Sequence, residues 1–387
     1  MSRRAVVAMF FIQGALLANW LTRIPRIQEK FDLNKGELGF VLLGLAVGVL
    51  FGLALVGGFI ARFSSRKITL VGITGACMTL PLLALAPHPV LLWMGLFVLG
   101  ANTSSMDVAM NVQAVEVEKR RQKPLMSSFH AAFSVGGFAG ALMGAAMAEL
   151  AVTPFVHFTI AGILCFVLMA YMAAGLVDVD GETTSNSDNP TFSLPPRGLW
   201  ALGFVAFCAA LGEGAMGDWS AVYLKNVVSA SAGTAAIGFA AFSLTMTIGR
   251  LSGDWLSARF SPATLTQVGG VIAGAGLLLA VLIPETAFVM IGFAGAGIGL
   301  SVIIPLAFSV AGNMPEFPPG MGIAGVATIG YAGFLAGPPI IGLVAEATSF
   351  RAALGGVALL TASLAWSAQS MRQKPVVSQA SVAPVQN

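Results

Sequence analysis

Twelve stretches of about 20 largely apolar residues follow one another along the chain, and this recurrence limits the fold more than any motif does. They fall at about 5–24, 37–61, 68–86, 90–115, 127–149, 156–177, 198–222, 235–258, 263–283, 287–310, 322–346 and 351–370. At about 1.5 Å of rise per residue, a helix of that length crosses roughly 30 Å of hydrocarbon. None of the stretches alternates with period two, and lipid admits only helices or closed barrels, because an unpaired backbone group finds no water there. The fold class expected is an all-α membrane protein with twelve transmembrane helices. Charge agrees: 10% of the 387 residues are charged, whereas a soluble chain carries roughly 25% to coat its surface. The partner expected for most of the surface is the lipid bilayer.

The only long polar segment inside the chain, 178–197, contains Asp-Gly, Ser-Asn-Ser-Asp-Asn-Pro and Pro-Pro, and it divides the spans six and six. The organisation expected is a six-helix bundle over 1–177, a cytoplasmic linker over 178–197, a second bundle over 198–370 and a disordered cytoplasmic tail over 371–387. Arg3-Arg4 before the first apolar run could suggest a secretory leader, but the run is long and opens a chain that keeps re-entering the membrane, so it reads as a retained span. With both termini in the cytoplasm, only Arg23, Arg26, Lys30, Lys35, Lys225 and Arg351 of the 20 basic residues lie outside. The positive-inside bias thus places both ends in the cytoplasm of a cell inner membrane. Trp20, Trp93, Trp200, Trp219, Trp255 and Trp366 fall near expected span ends, as an interfacial belt would.

The two halves carry weak internal likenesses at one spacing. Asn19-Trp20 matches Asp218-Trp219, Gly57–Leu70 matches Gly253–Leu265, and Gly140 with Glu149 matches Gly337 with Glu346. Three matches in order, 195 to 199 residues apart, suggest two pseudo-symmetric bundles derived by duplication.

Gly249-Arg250-Leu251-Ser252-Gly253-Asp254, followed by Arg259, resembles the signature loop of the major facilitator superfamily. Its first-half counterpart departs from that pattern, with Arg62 and Ser65 where Asp and Gly are usual. Asp107-Val-Ala-Met-Asn111, Ser127-Ser128-Phe129-His130, Glu213-Gly214-Ala215, Asp218-Trp219-Ser220, Gly330-Tyr331 and Gly337-Pro338-Pro339 are similar to the MosC/YbjJ-like group of that superfamily, over essentially the whole chain. The resemblance implies the major facilitator fold, alternating access, and a central cavity lined by spans one, four, seven and ten. It implies gating roles for Arg62, Arg250, Asp254 and Arg259 at the cytoplasmic helix ends. The Gly-Pro pair of drug antiporters is missing from span five, where Ser134-Val-Gly-Gly-Phe-Ala-Gly stands.

An ionisable residue inside a span is costly unless it faces a cavity or a partner, so each one is a candidate site. Glu213 on span seven reads either as a proton-binding carboxylate or as a structural hydrogen-bond partner. Asp218, five residues on and about 140° around the helix, is expected at the outer rim rather than on the same face. Arg23 near the end of span one either pairs with Glu213 or Asp218 as an outer gate, or reaches out to the headgroups. Asp107 and Asn111 are i,i+4 neighbours on span four. With His130 nearby, Asp107 can bind and pass a proton near neutral pH, or the group is a packing network. Gln13, Asn19, Asn102, Asn111 and Tyr331 are candidates for contacting cargo. Glu149 and Glu346 read as solvated helix ends.

No Walker lysine, nucleophile–base pair or metal cluster stands in the sequence, so the chain is expected to be no enzyme, to hold no cofactor or metal, and to draw on no ATP. A net charge of +3 with no basic stripe argues against a nucleic-acid partner. Cys77, Cys165 and Cys208 sit in apolar runs as packing residues. The function expected is a monomeric secondary transporter of a small polar solute, coupled to protons. The alternatives are an exporter of a metabolite or drug, and a non-transporting membrane receptor with the same fold.

Overall fold

The computed structural model describes residues 3–122, 125–177, 195–317 and 319–371, and the regular structure of these residues is entirely helical. Twelve helical spans are long and apolar enough to cross a membrane. The first six are Arg3–Phe31, Lys35–Phe63, Ser65–Leu85, Pro89–Arg121, Ser128–Glu149 and Pro154–Gly175. The second six are Arg197–Asn226, Ala232–Ser257, Pro262–Leu282, Thr286–Gly312, Met321–Ala347 and Phe350–Met371. Most of the expected linker, 178–194, and most of the expected tail, 372–387, lie outside the described residues.

Local chemistry explains where the helices break. Span one stops at Leu21 and restarts at Ile24, because Pro25 has no N–H to return to the Leu21 carbonyl and is suited to a first helical turn. Span ten breaks after Leu300 and resumes at Ile303 for the same reason, Pro305 being unable to bond the Ser301 carbonyl. Span two opens on a capping box: Asn34 Oδ1 accepts from Glu37 N at 2.8 Å, and Glu37 Oε2 accepts from Asn34 N at 3.0 Å. Span four runs on to Arg121, past the apolar window, with Arg120 paired to Glu116 at 2.6 Å on its solvated last turns.

Packing reproduces the duplication. Span one packs on five, two on four, three on four and three on six; seven packs on eleven, eight on ten, nine on ten and nine on twelve. Adding six to each number of the first set yields the second. Trp20 lies tilted against Phe158 at the start of span six (6.3 Å), and Trp219 meets Phe350 edge-on at the start of span twelve (5.4 Å). Both tryptophans are fully buried. These two therefore do not belong to an interfacial belt; the helix ends they mark are packed against a neighbouring helix, which shields them from the headgroups. Trp200, Trp255 and Trp366 are exposed as a belt requires.

The halves meet through spans two and eleven and through spans five and eight. The first contact is backbone-close at Gly39, where an added Cβ would sit 2.5 Å from the Pro338 carbonyl oxygen. At the face away from the termini, Lys225 pairs with Glu29 at 3.4 Å and Asn226 Nδ2 donates to Gln28 Oε1 at 3.2 Å. Toward the termini the last turns of span two are exposed, Phe59 and Phe63 included, and a side chain added at Gly57 or Gly58 would meet nothing within 4 Å. The molecule is drawn together at the face away from the termini, and the last turns of span two stand exposed at the other.

Candidate functional site

Between the halves lies a cavity of about 340 Å³. Its walls are mainly apolar, with Phe133, Phe239, Phe242 and Phe334 among the lining, and its polar groups converge from both halves. Asp107 comes from span four, Glu213 and Asp218 from span seven, and Arg250 from span eight. Gln13, Thr103, Ser104, Ser134, Ser243 and Tyr331 complete the polar lining.

Arg250 organises this set. Its Nη2 lies 3.4 Å from Glu213 Oε2, and its Nη1 donates to Ser134 Oγ at 3.4 Å. One guanidinium thus touches span seven of its own half and span five of the other. The pair is largely withdrawn from water, with side-chain exposures of 23% for Arg250 and 15% for Glu213. Glu213 Oε1 is buried without a protein partner. Gln13 Nε2 donates to the Thr103 carbonyl at 3.2 Å, leaving its own Oε1 unbonded. Asn111 Nδ2 donates to the Asp107 carbonyl at 2.9 Å and reaches its Oδ1 at 3.4 Å. Among the described residues no cation pairs with Asp107 or Asp218. Three carboxylates therefore face one guanidinium, and the excess acidity calls for protons or for a cargo that donates hydrogen bonds.

Several expected positions are placed differently. Asp218 does not stand apart at a rim: it lines the same cavity as Glu213. Gly214 and Gly217 also line it and carry no side chain, so carboxyls from both edges of that helix face reach in. Arg23 does not pair with either acid. Its Nη2 donates to the Val152 carbonyl, after the end of span five, while Glu213 takes Arg250. Arg250 lies inside the span rather than at its cytoplasmic end. Its place within the apolar window 235–258 was the available signal, hidden by the signature loop that surrounds it. Asp254 and Arg259 are exposed, with Arg259 over the Trp255 ring at 4.1 Å; Arg62 is exposed over Phe63 at 5.1 Å.

Of the cargo candidates, Gln13 and Tyr331 line the cavity. Asn19 Oδ1 instead accepts at 2.6 Å from Nε2 of His157, a buried residue of span six that was not among the expected site residues. Its signal was a histidine within an apolar run. Asn102 bonds back to the Val98 carbonyl at 2.9 Å and packs on span three at Gly75, and Asn111 bonds within its own helix. His130 is exposed toward the termini, edge-on to Phe10 with ring centroids 5.2 Å apart.

Known proteins with this sequence pattern and shape all point one way. The model of the Major Facilitator Superfamily matches residues 5–317. An uncharacterized MFS-type transporter of Yersinia pestis is 36% identical over 362 residues, covering 94% of each chain. The membrane protein MosC of Rhizobium meliloti is 31% identical over 352 residues, covering 90% of this chain and 85% of the other. The crystal structure of a mutant of the nucleoside transporter NupG superposes with a TM-score of 0.79 at 14% identity, covering 95% of this chain and 99% of that one. That of a variant of the E. coli fucose:proton symporter FucP gives 0.61 at 17% identity, covering 96% and 98%.

Proposed function

The chain belongs to the major facilitator superfamily, and we propose that it moves a small polar solute across the cytoplasmic membrane by alternating access, coupled to protons. It is a membrane transporter by family and no enzyme. The observation that carries the finer reading is the cavity at the junction of the halves, where Asp107, Glu213 and Asp218 face Arg250. Carboxylates withdrawn from water are poised to exchange protons as the cavity is exposed to one side and then the other. Asp107 and Glu213 serve as proton sites, and His130, exposed on the side of the termini, passes protons to the aqueous phase. Gln13, Tyr331, Ser243 and Asp218 meet the cargo. A solute rich in hydroxyl or amino groups matches that set, because the lining offers more acceptors than donors. The phenylalanines cover its apolar faces.

Both termini lie in the cytoplasm on the basic-residue asymmetry, so the state seen here opens inward. The family's structures support a monomer acting on a small solute. That NupG transports nucleosides and that FucP couples fucose to protons supports this type of work for the fold.

Proteoliposomes holding the purified protein and a pH-sensitive dye test the reading. Under an imposed pH gradient, solutes added one at a time should leave the gradient intact except for cargo, which dissipates it. A library of polar metabolites of which none moves protons, while a counterflow assay shows solute exchange, would remove the coupling. Failure of both assays would remove transport.

A further inference from the structure

Spans five and eleven end in Glu149 and Glu346, which read in the sequence as solvated ends; both are exposed, as that reading expects, and each also makes a hydrogen bond to the opposite half. Glu149 Oε2 accepts from Gly233 N at 3.1 Å and from Ser231 Oγ at 2.9 Å, at the start of span eight. Glu346 Oε2 accepts from Lys35 N at 3.1 Å, at the start of span two, and Lys35 Nζ reaches the Ala345 carbonyl at 3.3 Å. The glutamates are 197 residues apart, and so are the N-cap residues Asn34 and Ser231. One contact is the duplicate of the other, and both join a glutamate of one half to a helix of the other.

The first N–H groups of a helix have no partner within it and carry partial positive charge. A carboxylate aimed at them makes a charge-assisted bond and completes the cap. Each glutamate therefore finishes a helix belonging to the opposite half. The fit leaves no room for a side chain at Gly233, whose added Cβ would lie 2.4 Å from Glu149 Oε2. We propose that Glu149 and Glu346 are gating residues: together they hold the cytoplasm-open state by capping span eight and span two, and both release when the other face opens. A contact made in one state only shifts the balance of states by its own free energy. This inference rests on the alternating-access reading.

The test uses Leu21→Cys, a cavity position beneath the closed face that packs across the halves on Gly217, in a chain whose three native cysteines are replaced by serine or alanine. Whole cells are treated with a membrane-impermeant maleimide, and rates are normalised to Asp32→Cys on the same face. Glu149→Ala and Glu346→Ala should each speed labelling about threefold and the double variant about tenfold, because distant weak contacts add. The Gln variants should fall between, since the amide oxygen still accepts but has lost its charge. Gly233→Ala, which keeps both glutamates, should match Glu149→Ala. Equal, measurable rates in parent and double variant overturn the gate while leaving alternation standing. No labelling of Leu21→Cys in any background overturns both.

Discussion

Glu213→Gln and Arg250→Leu remove the two ends of one contact, and the cavity should respond to them unequally. At 3.4 Å and an effective dielectric of about 20, the Coulomb attraction is about 332/(20 × 3.4), or about 5 kcal/mol. The side chains keep 23% and 15% of their exposure, and taking both charges out of water offsets part of that gain, so the loss on breaking the pair is about 2–3 kcal/mol. Glu213→Gln strands a guanidinium that has no neutral form in reach. Arg250→Leu strands a carboxylate that can take up a proton. At about pH 8 both variants should unfold lower, by roughly 3 °C if unfolding entropy scales at about 2.1 cal/mol/K per residue. On going to about pH 5 the deficit of Arg250→Leu should shrink, because a protonated Glu213 no longer needs a cation; that of Glu213→Gln should persist. The double variant should recover most of the loss. The assay is thermal unfolding of the purified protein in detergent across that pH range. Equal, pH-independent losses that simply add in the double variant would refute the pair as an electrostatic unit.

Other consequences follow from the same geometry. Asp218 pairs with no cation among the described residues, so Asp218→Asn should raise thermal stability by about 0.5–2 kcal/mol at about pH 8, with the gain fading as pH falls, while transport drops. Asp107→Asn should abolish accumulation driven by a pH gradient in proteoliposomes and leave a folded protein by size-exclusion chromatography; persistent accumulation would make Asp107 structural. Gly39→Ala drives a Cβ to 2.5 Å from the Pro338 carbonyl oxygen, so spans two and eleven must part, lowering thermal stability by about 1–3 kcal/mol. His157→Phe should destabilise through the lost Asn19 contact yet leave the pH profile of transport unchanged, because that pair lies outside the cavity.

Much of the fold was legible because the membrane makes span length and backbone pairing nearly compulsory. Twelve windows, their even division and the 197-residue spacing of Glu149 and Glu346 are all visible in the residues. The site was legible only in part. Asp107 and Glu213 stood out as charges in hydrocarbon, but which charge faces which depends on helix rotation and on how far the halves are rocked. Arg23 and Arg250 are both arginines in or beside an apolar run, and nothing local says that one turns to the Val152 carbonyl and the other into the cavity. The four phenylalanines of the lining could not be told from the other 22 among the chain's 26, because a lipid-facing wall and a cavity wall have the same chemistry.

The mismatch of three acidic groups with a single guanidinium has an electrical consequence. With all three ionised and no cargo aboard, the chamber holds a surplus of two negative charges (3 − 1 = 2). In the proposed alternating-access cycle, carrying that surplus across the bilayer couples to the membrane potential by up to about 2.3 kcal/mol per charge per 100 mV, downhill when the charges turn outward from a negative interior and uphill when they return. On that proposal the inward return of the empty chamber is the step the voltage opposes, and positive charge in the chamber would lift the opposition, so the carboxylates proposed to attract the passenger would also discourage idle turnover.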